Sequence, residues 1–155
     1  MSFFDYPSEQ PTARPQARLL PAATDEEWAE VLKHTHYHQF SPGDVVVTDG
    51  ATEQSLYLVL EGELEVLVPR RRGHRRIATI AAGSVMGELS FFDGAARSAM
   101  VRALTPALLA ELTPAEFDAL AAANPTLARQ FLFDLGAILA QRLREAHDAA
   151  AAGAN

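Results

Sequence analysis

From His36 to Leu112 the chain is written in short β-rich runs, each closed by a turn signal. The apolar runs are Val45 to Val47, Leu56 to Leu60, the Leu64/Val66/Val68 alternation, Ile77 with Ile80, Val101, and Leu108 to Leu112. The turns are Ser41-Pro42-Gly43, Asp49-Gly50, Glu61-Gly62, Arg72-Gly73, Ala82-Gly83 and Asp93-Gly94. Many short strands at spacings of about 8–12 residues fold as a sandwich or a barrel. Helical text flanks this stretch. Thr24 with Glu27 forms a capping box ahead of Trp28, Val31 and Leu32, so a helix starts there and stops near Lys33 or His34. Thr113-Pro114-Ala115-Glu116 is a second capping box, and its helix carries Phe117 and Leu120. A last helix starts at Asn124-Pro125 and runs towards His147, with Leu132, Leu135, Leu139, Leu143 and Ala146 at helical spacing. Gly136 interrupts it at a cost of about 1 kcal/mol against alanine.

The 155 residues suffice for one domain with one sizeable core. The sequence divides into a flexible leader (1–23), a domain with its C-terminal helices (24–148) and a frayed tail (149–155). Phe3, Phe4 and Tyr6 in the leader are a candidate docking strip, although a loose terminus explains them more simply. The net charge of -7 disfavours nucleic acid and anionic membrane as partners. With no cysteine there are no disulfides or thiolate metal sites. MSFFDYPSEQ does not read as a secretory signal, and no apolar run approaches the roughly 20 residues of a membrane span. These points predict a soluble, cytoplasmic protein.

The chemistry concentrates between Gly87 and Val101, GELSFFDGAARSAMV. Glu88 and Arg97 stand on either side of a short loop containing Asp93-Gly94, and Ala95, Ala96, Ser98 and Ala99 crowd the arginine. A forked cation among small residues that let backbone N–H groups approach can cradle a compact anion, and the acid can accept from a hydroxyl beside it. A phosphorylated sugar fits. The simpler alternative is an internal salt bridge between Glu88 and Arg97 that ties the loop. The anion reading needs a guanidinium sequestered in the fold, and a carboxylate lodged permanently against it would oppose the reading.

The stretch resembles the phosphate-binding cassette of the cyclic-nucleotide-binding domain family, with Gly87, Glu88, Leu89 and Ser90 in its first half and Arg97, Ser98 and Ala99 in its second. Met100-Val101-Arg102-Ala103 resembles the catabolite-activator branch. Ala96 replaces a common proline and Phe91 a smaller aliphatic residue. The order of helix, β-region and two helices also matches, so the resemblance spans roughly residues 25 to 147. It implies a mainly β fold with flanking helices: a double-stranded β-helix, or jelly-roll barrel, with one N-terminal and two C-terminal helices. It implies a stand-alone sensor of a cyclic purine mononucleotide, cyclic AMP more than cyclic GMP, with no cofactor. Arg97 would pair with the cyclic phosphate and Glu88 would take the ribose hydroxyl. Gly87, Leu89 and Ser90 would shape the cassette and present backbone donors, while Ser98 and Ala99 allow close approach. Leu64 would line the base pocket, and Phe131 and Phe133 are candidate aromatic contacts. Ligand would repack the C-terminal helices and relay the signal to a protein partner, or to a second copy through the last helix. The short sequence after His147 predicts no helix-turn-helix domain and hence no DNA binding.

Two rivals stand beside this reading. One is a ligand-free protein-interaction module on the same fold, favoured by Ala96 and Phe91. The other is a metal-dependent cupin-like barrel enzyme built on His34, His36 and His38, which would share one face if all three lay on a strand. No nucleophile elbow, cysteine nucleophile or Walker loop is present, so enzymatic activity is not expected. PRRRGHRR, from Pro69 to Arg76, holds five arginines and reads as a solvated hairpin tip or a dock for an acidic partner.

Overall fold

A computed structural model describes residues 17–153. The element order is α1 (Asp25–Lys33), β1 (His36–Phe40), β2 (Val45–Val47), β3 (Leu56–Glu61), β4 (Glu63–Pro69), β5 (His74–Ala81), β6 (Val85–Met86), α2 (Glu88–Asp93), β7 (Met100–Ala103), β8 (Ala107–Leu112), α3 (Pro114–Ala123) and α4 (Pro125–Gly153). The strands form two antiparallel four-stranded sheets, ordered β1-β8-β3-β6 and β2-β7-β4-β5. This is the mainly β, helix-flanked jelly roll.

The first sheet has apolar residues on both faces, and its strands show why. In β3, Tyr57 and Val59 alternate with Leu56, Leu58 and Leu60, so an unbroken apolar run serves two cores. Tyr57, Val59, Leu64, Met86, Val101 and Leu109 fill the space between the sheets. Leu56, Leu58, Val85 and Leu112 pack outward against Val31, Leu120, Phe131, Leu135 and Ile138 of the helices. Both expected capping boxes form, at Thr24/Glu27 and Thr113/Glu116. Gly62 closes the β3–β4 turn at φ 93°, where an added Cβ would fall 2.3 Å from the Pro106 carbonyl oxygen.

Three boundaries differ from the sequence reading. Leu19 and Leu20, placed in the leader, are buried in the helix-side core. The Leu20 N–H donates to Asp134 Oδ2 on α4 at 3.0 Å. The rest of the leader, with Phe3, Phe4 and Tyr6, lies outside the described residues. Helix α4 continues to Gly153, past the boundary set at 148, and Gly136 does not break it. The segment after Gly87 is not only loop but the short helix α2, bracketed by Gly87 at φ 82° and Gly94 at φ 70°.

Candidate functional site

Arg97 stands between α2 and β7 and is clamped by the β2–β3 loop. Its N–H donates to the Ala51 carbonyl at 2.8 Å, and its carbonyl accepts from the Gly50 N–H at 2.7 Å. Held there, the side chain turns inward and is only 5% exposed. Its guanidinium meets Glu53 in a bidentate pair, Nε to Oε1 and Nη2 to Oε2, each at 2.8 Å. Nη1 donates to the Gly87 carbonyl at 2.9 Å and Nη2 to the Ser55 carbonyl at 2.5 Å. Four of the five guanidinium N–H groups are therefore used. Gly87 is required twice over. Its φ is positive, and a Cβ would lie 2.7 Å from both Arg97 Nη1 and the Ser55 oxygen.

Glu88 does not pair with Arg97. Its carboxylate, 13% exposed, meets Arg142 Nη1 of α4 at 2.9 Å. Arg142 Nη2 also donates to the Val85 carbonyl at 2.7 Å. The simple Glu88–Arg97 tie is thus replaced by two pairs reaching in different directions. Ser90 is buried, Ala99 half-buried and Ser98 exposed. Leu89 is 55% exposed. Phe91, the unusual aromatic residue, packs edge-on against Phe117 at 5.9 Å, and Phe117 lies 5.7 Å from Phe131. The cassette is thereby joined to α3 and α4. Phe131 is part of the helix-side core, whereas Phe133 is 61% exposed beneath the Arg129 guanidinium. Leu64 is fully buried between the sheets.

Sequence reasoning missed Glu53, Ser55 and Arg142. The available signal for the first was an acid in a polar loop between two strongly apolar strands, just after Asp49-Gly50. A second polar group lies close by. The Tyr57 hydroxyl donates to Glu111 Oε2 at 3.0 Å, and His38 meets Oε1 at 3.3 Å. Burial, then the Glu53 and Glu111 carboxylates, push the Tyr57 hydroxyl up, with Arg97 opposing. Burial alone would raise Glu111, but hydrogen bonds from Ser55, Tyr57 and His38 outweigh it and hold the carboxyl below its usual range.

The three histidines do not share a strand. His34 is the C-cap residue of α1, with Glu30 3.5 Å away, because the helix ends only at Lys33 and the strand begins at His36. His36 and His38 lie on β1, paired with Glu116 and Glu111 respectively. Among the described residues, no group of three His, Asp or Glu side chains is placed to hold a metal ion. No helix among them is long and apolar enough to cross a membrane.

The cyclic nucleotide-binding domain family model matches residues 37–124. The chain belongs to this family. Within it, the cAMP-activated global transcriptional regulator CRP of Pasteurella multocida is 32% identical over 120 residues, covering 76% of this chain and 54% of that protein. The chain thus spans about half the length of the curated relatives it matches. A cyclic nucleotide-binding domain from Methylobacillus flagellatus superposes with a TM-score of 0.77 at 29% identity, covering 85% of this chain and 75% of that one. The Thermus thermophilus catabolite activator protein gives 0.71 at 30% identity, covering 82% and 58%.

Proposed function

We propose that this cyclic nucleotide-binding domain is a non-enzymatic sensor of a cyclic purine mononucleotide, cyclic AMP in preference to cyclic GMP. The observation that carries the reading is the Arg97 guanidinium, 5% exposed, whose sole charged partner among the described residues is a carboxylate that is itself 40% exposed. A cation held out of water needs an anion, and Glu53, the more exposed member of the pair, is the group a phosphate would displace, at the loss of its bonds to Arg97 and to the Ser55 N–H at 3.1 Å. The phosphate then meets Arg97, with backbone N–H groups of Gly87, Leu89 and Ser90 nearby and small Ser98 and Ala99 leaving room. Glu88 takes the ribose hydroxyl.

The output follows from what Glu88 and Phe91 touch. Glu88 is linked to α4 through Arg142, and Phe91 to α3 and α4 through Phe117 and Phe131. Ligand that binds one arrangement of these contacts better shifts the helices towards it. Leu132 and Leu143 leave apolar surface open on α4, 37% and 66% exposed, at a spacing suited to a second copy. We therefore propose a homodimer through α4 as the route of relay. Sedimentation of Leu143→Glu should show a lighter species than the parent chain, and equal masses would remove α4 from the interface.

The satisfied state of Arg97 favours a second reading, a ligand-free interaction module on the same fold. Calorimetry with cyclic AMP and cyclic GMP separates the two. Heat with the parent chain, and binding weakened by at least about 2 kcal/mol in Arg97→Ala, supports the sensor. No heat at millimolar nucleotide supports the module.

A further inference from the structure

The arginine-rich hairpin is absorbed by none of this. Strand β4 ends at Pro69 and β5 begins at His74, and the turn between them is closed by the Arg70 N–H donating to the Gly73 carbonyl at 2.9 Å. Arg70, Arg71, Arg72 and Arg75 are exposed, and among the described residues none of the four enters an ion pair. Five of the chain's 13 Lys and Arg residues sit between Pro69 and Arg76, and none of its 20 Asp and Glu residues does. On the same sheet Glu65 is already saturated by Arg76 and Arg102. The tip is therefore a cationic projection from an otherwise acidic protein.

The backbone adds a second feature. Strand β5 is the outermost strand of its sheet, eight residues long and exposed along nearly its whole length. An edge of this kind, unpaired among the described residues, offers a row of backbone donors and acceptors to another extended chain. Ile77, 56% exposed, is the extra residue of this strand's bulge opposite Val66 and Leu67 and supplies apolar contact. Charge then selects the visitor. A second β5 brings its own arginines and is repelled, whereas an acidic strand is attracted. A phosphate backbone would satisfy the arginines but not the strand's hydrogen-bonding groups, and its further length would meet the acidic remainder of the surface.

We propose that the free edge of β5 and its arginine tip form a docking surface for an acidic polypeptide segment, taken up in extended form as an added strand. None of these residues is among those proposed to hold the nucleotide.

The test is fluorescence anisotropy with the whole chain and a labelled octapeptide of alternating Glu and Val. Binding should weaken by roughly tenfold or more in the triple variant Arg70→Glu, Arg72→Glu, Arg75→Glu, whose melting temperature stays near that of the parent. It should also weaken as salt rises past about 0.15 M. An otherwise identical peptide N-methylated at alternate residues cannot complete the ladder and should bind at least about threefold more weakly. Equal affinity for the two peptides overturns strand addition. Absence of binding, or no response to charge reversal, overturns the docking surface. A single-stranded oligonucleotide of equal charge binding more tightly than the peptide assigns the tip to nucleic acid instead.

Discussion

Two guanidinium–carboxylate clusters in this domain are built as opposites. At the cassette the cation is buried and the acid is exposed: Arg97 is 5% exposed and Glu53 40%. On the sheet that carries β4, β5 and β7 the acid is buried and the cations are exposed: Glu65 is 4% exposed, while Arg76 and Arg102 are 53% and 42%. Glu65 receives Nε and Nη2 hydrogen bonds from both arginines and has nothing further to gain from another ion. Arg97 retains one N–H unused among the described residues and a partner that is 40% exposed. Burial of a charge does not by itself mark a site. What matters is whether the buried member's counter-ion can be exchanged.

The sharpest way to break this contrast is to neutralise each acid. Glu53→Gln leaves a buried cation with carbonyl oxygens and one amide oxygen for company. It should destabilise the ligand-free domain by about 2 kcal/mol, measured by urea denaturation, although Glu53 is the more exposed of the two acids. The melting-temperature rise on adding cyclic AMP should then exceed that of the parent, because the phosphate is the only anion left for Arg97. A smaller rise would mean that Glu53 positions the guanidinium for ligand rather than standing in for it.

This contrast also marks how far the sequence could be read. Arg97 was legible because Gly87, Glu88, Ser98 and Ala99 lie within one short stretch around it. The hairpin tip was legible because Arg72-Gly73 is a local turn signal, and both capping boxes because their partners stand three residues apart. Glu53 and Ser55 lie 44 and 42 residues from Arg97, and only strand pairing brings them together. Arg142 reaches Glu88 from a helix whose register against the sheet no local pattern encodes. Leu19 and Leu20 were assigned to the leader because two apolar residues before a proline carry no periodicity. Helix α2 escaped notice because six residues are too few to show a helical period.

Glu65→Gln should cost less than Glu53→Gln, since the two cations it releases are already half in water. Its effect should also depend on pH in one direction. Hydrogen bonds from Arg102, then Arg76, hold the Glu65 carboxyl below its ordinary value of 4.5. The carboxylate is therefore favoured in the folded state, and its contribution is complete above about pH 4.5 and lost as pH falls further. Melting temperatures of parent and variant should converge on acidification from pH 7 to about pH 3. Parallel curves would reduce the triad to ordinary surface pairs, and the contrast with Arg97 would lose one of its sides.

The smallest effect tests how the cassette pair reaches its polar neighbours. Tyr57 feels both Glu53 and Glu111, and its hydroxyl donates only to Glu111, which keeps Ser55 and His38 when that bond is lost. Tyr57→Phe should therefore destabilise by about 1 kcal/mol at pH 7, and cyclic AMP affinity should hardly change. Burial and the two carboxylates raise the hydroxyl above its ordinary value of 10.0, so the neutral form is favoured in the fold. Its contribution is complete below about pH 10 and lost as pH rises beyond that point. The gap in melting temperature between parent and Tyr57→Phe should accordingly narrow above pH 10. A gap that stays constant would show that Tyr57 ionises as freely in the fold as in the unfolded chain, and would detach it from the electrostatics of Arg97 and Glu53.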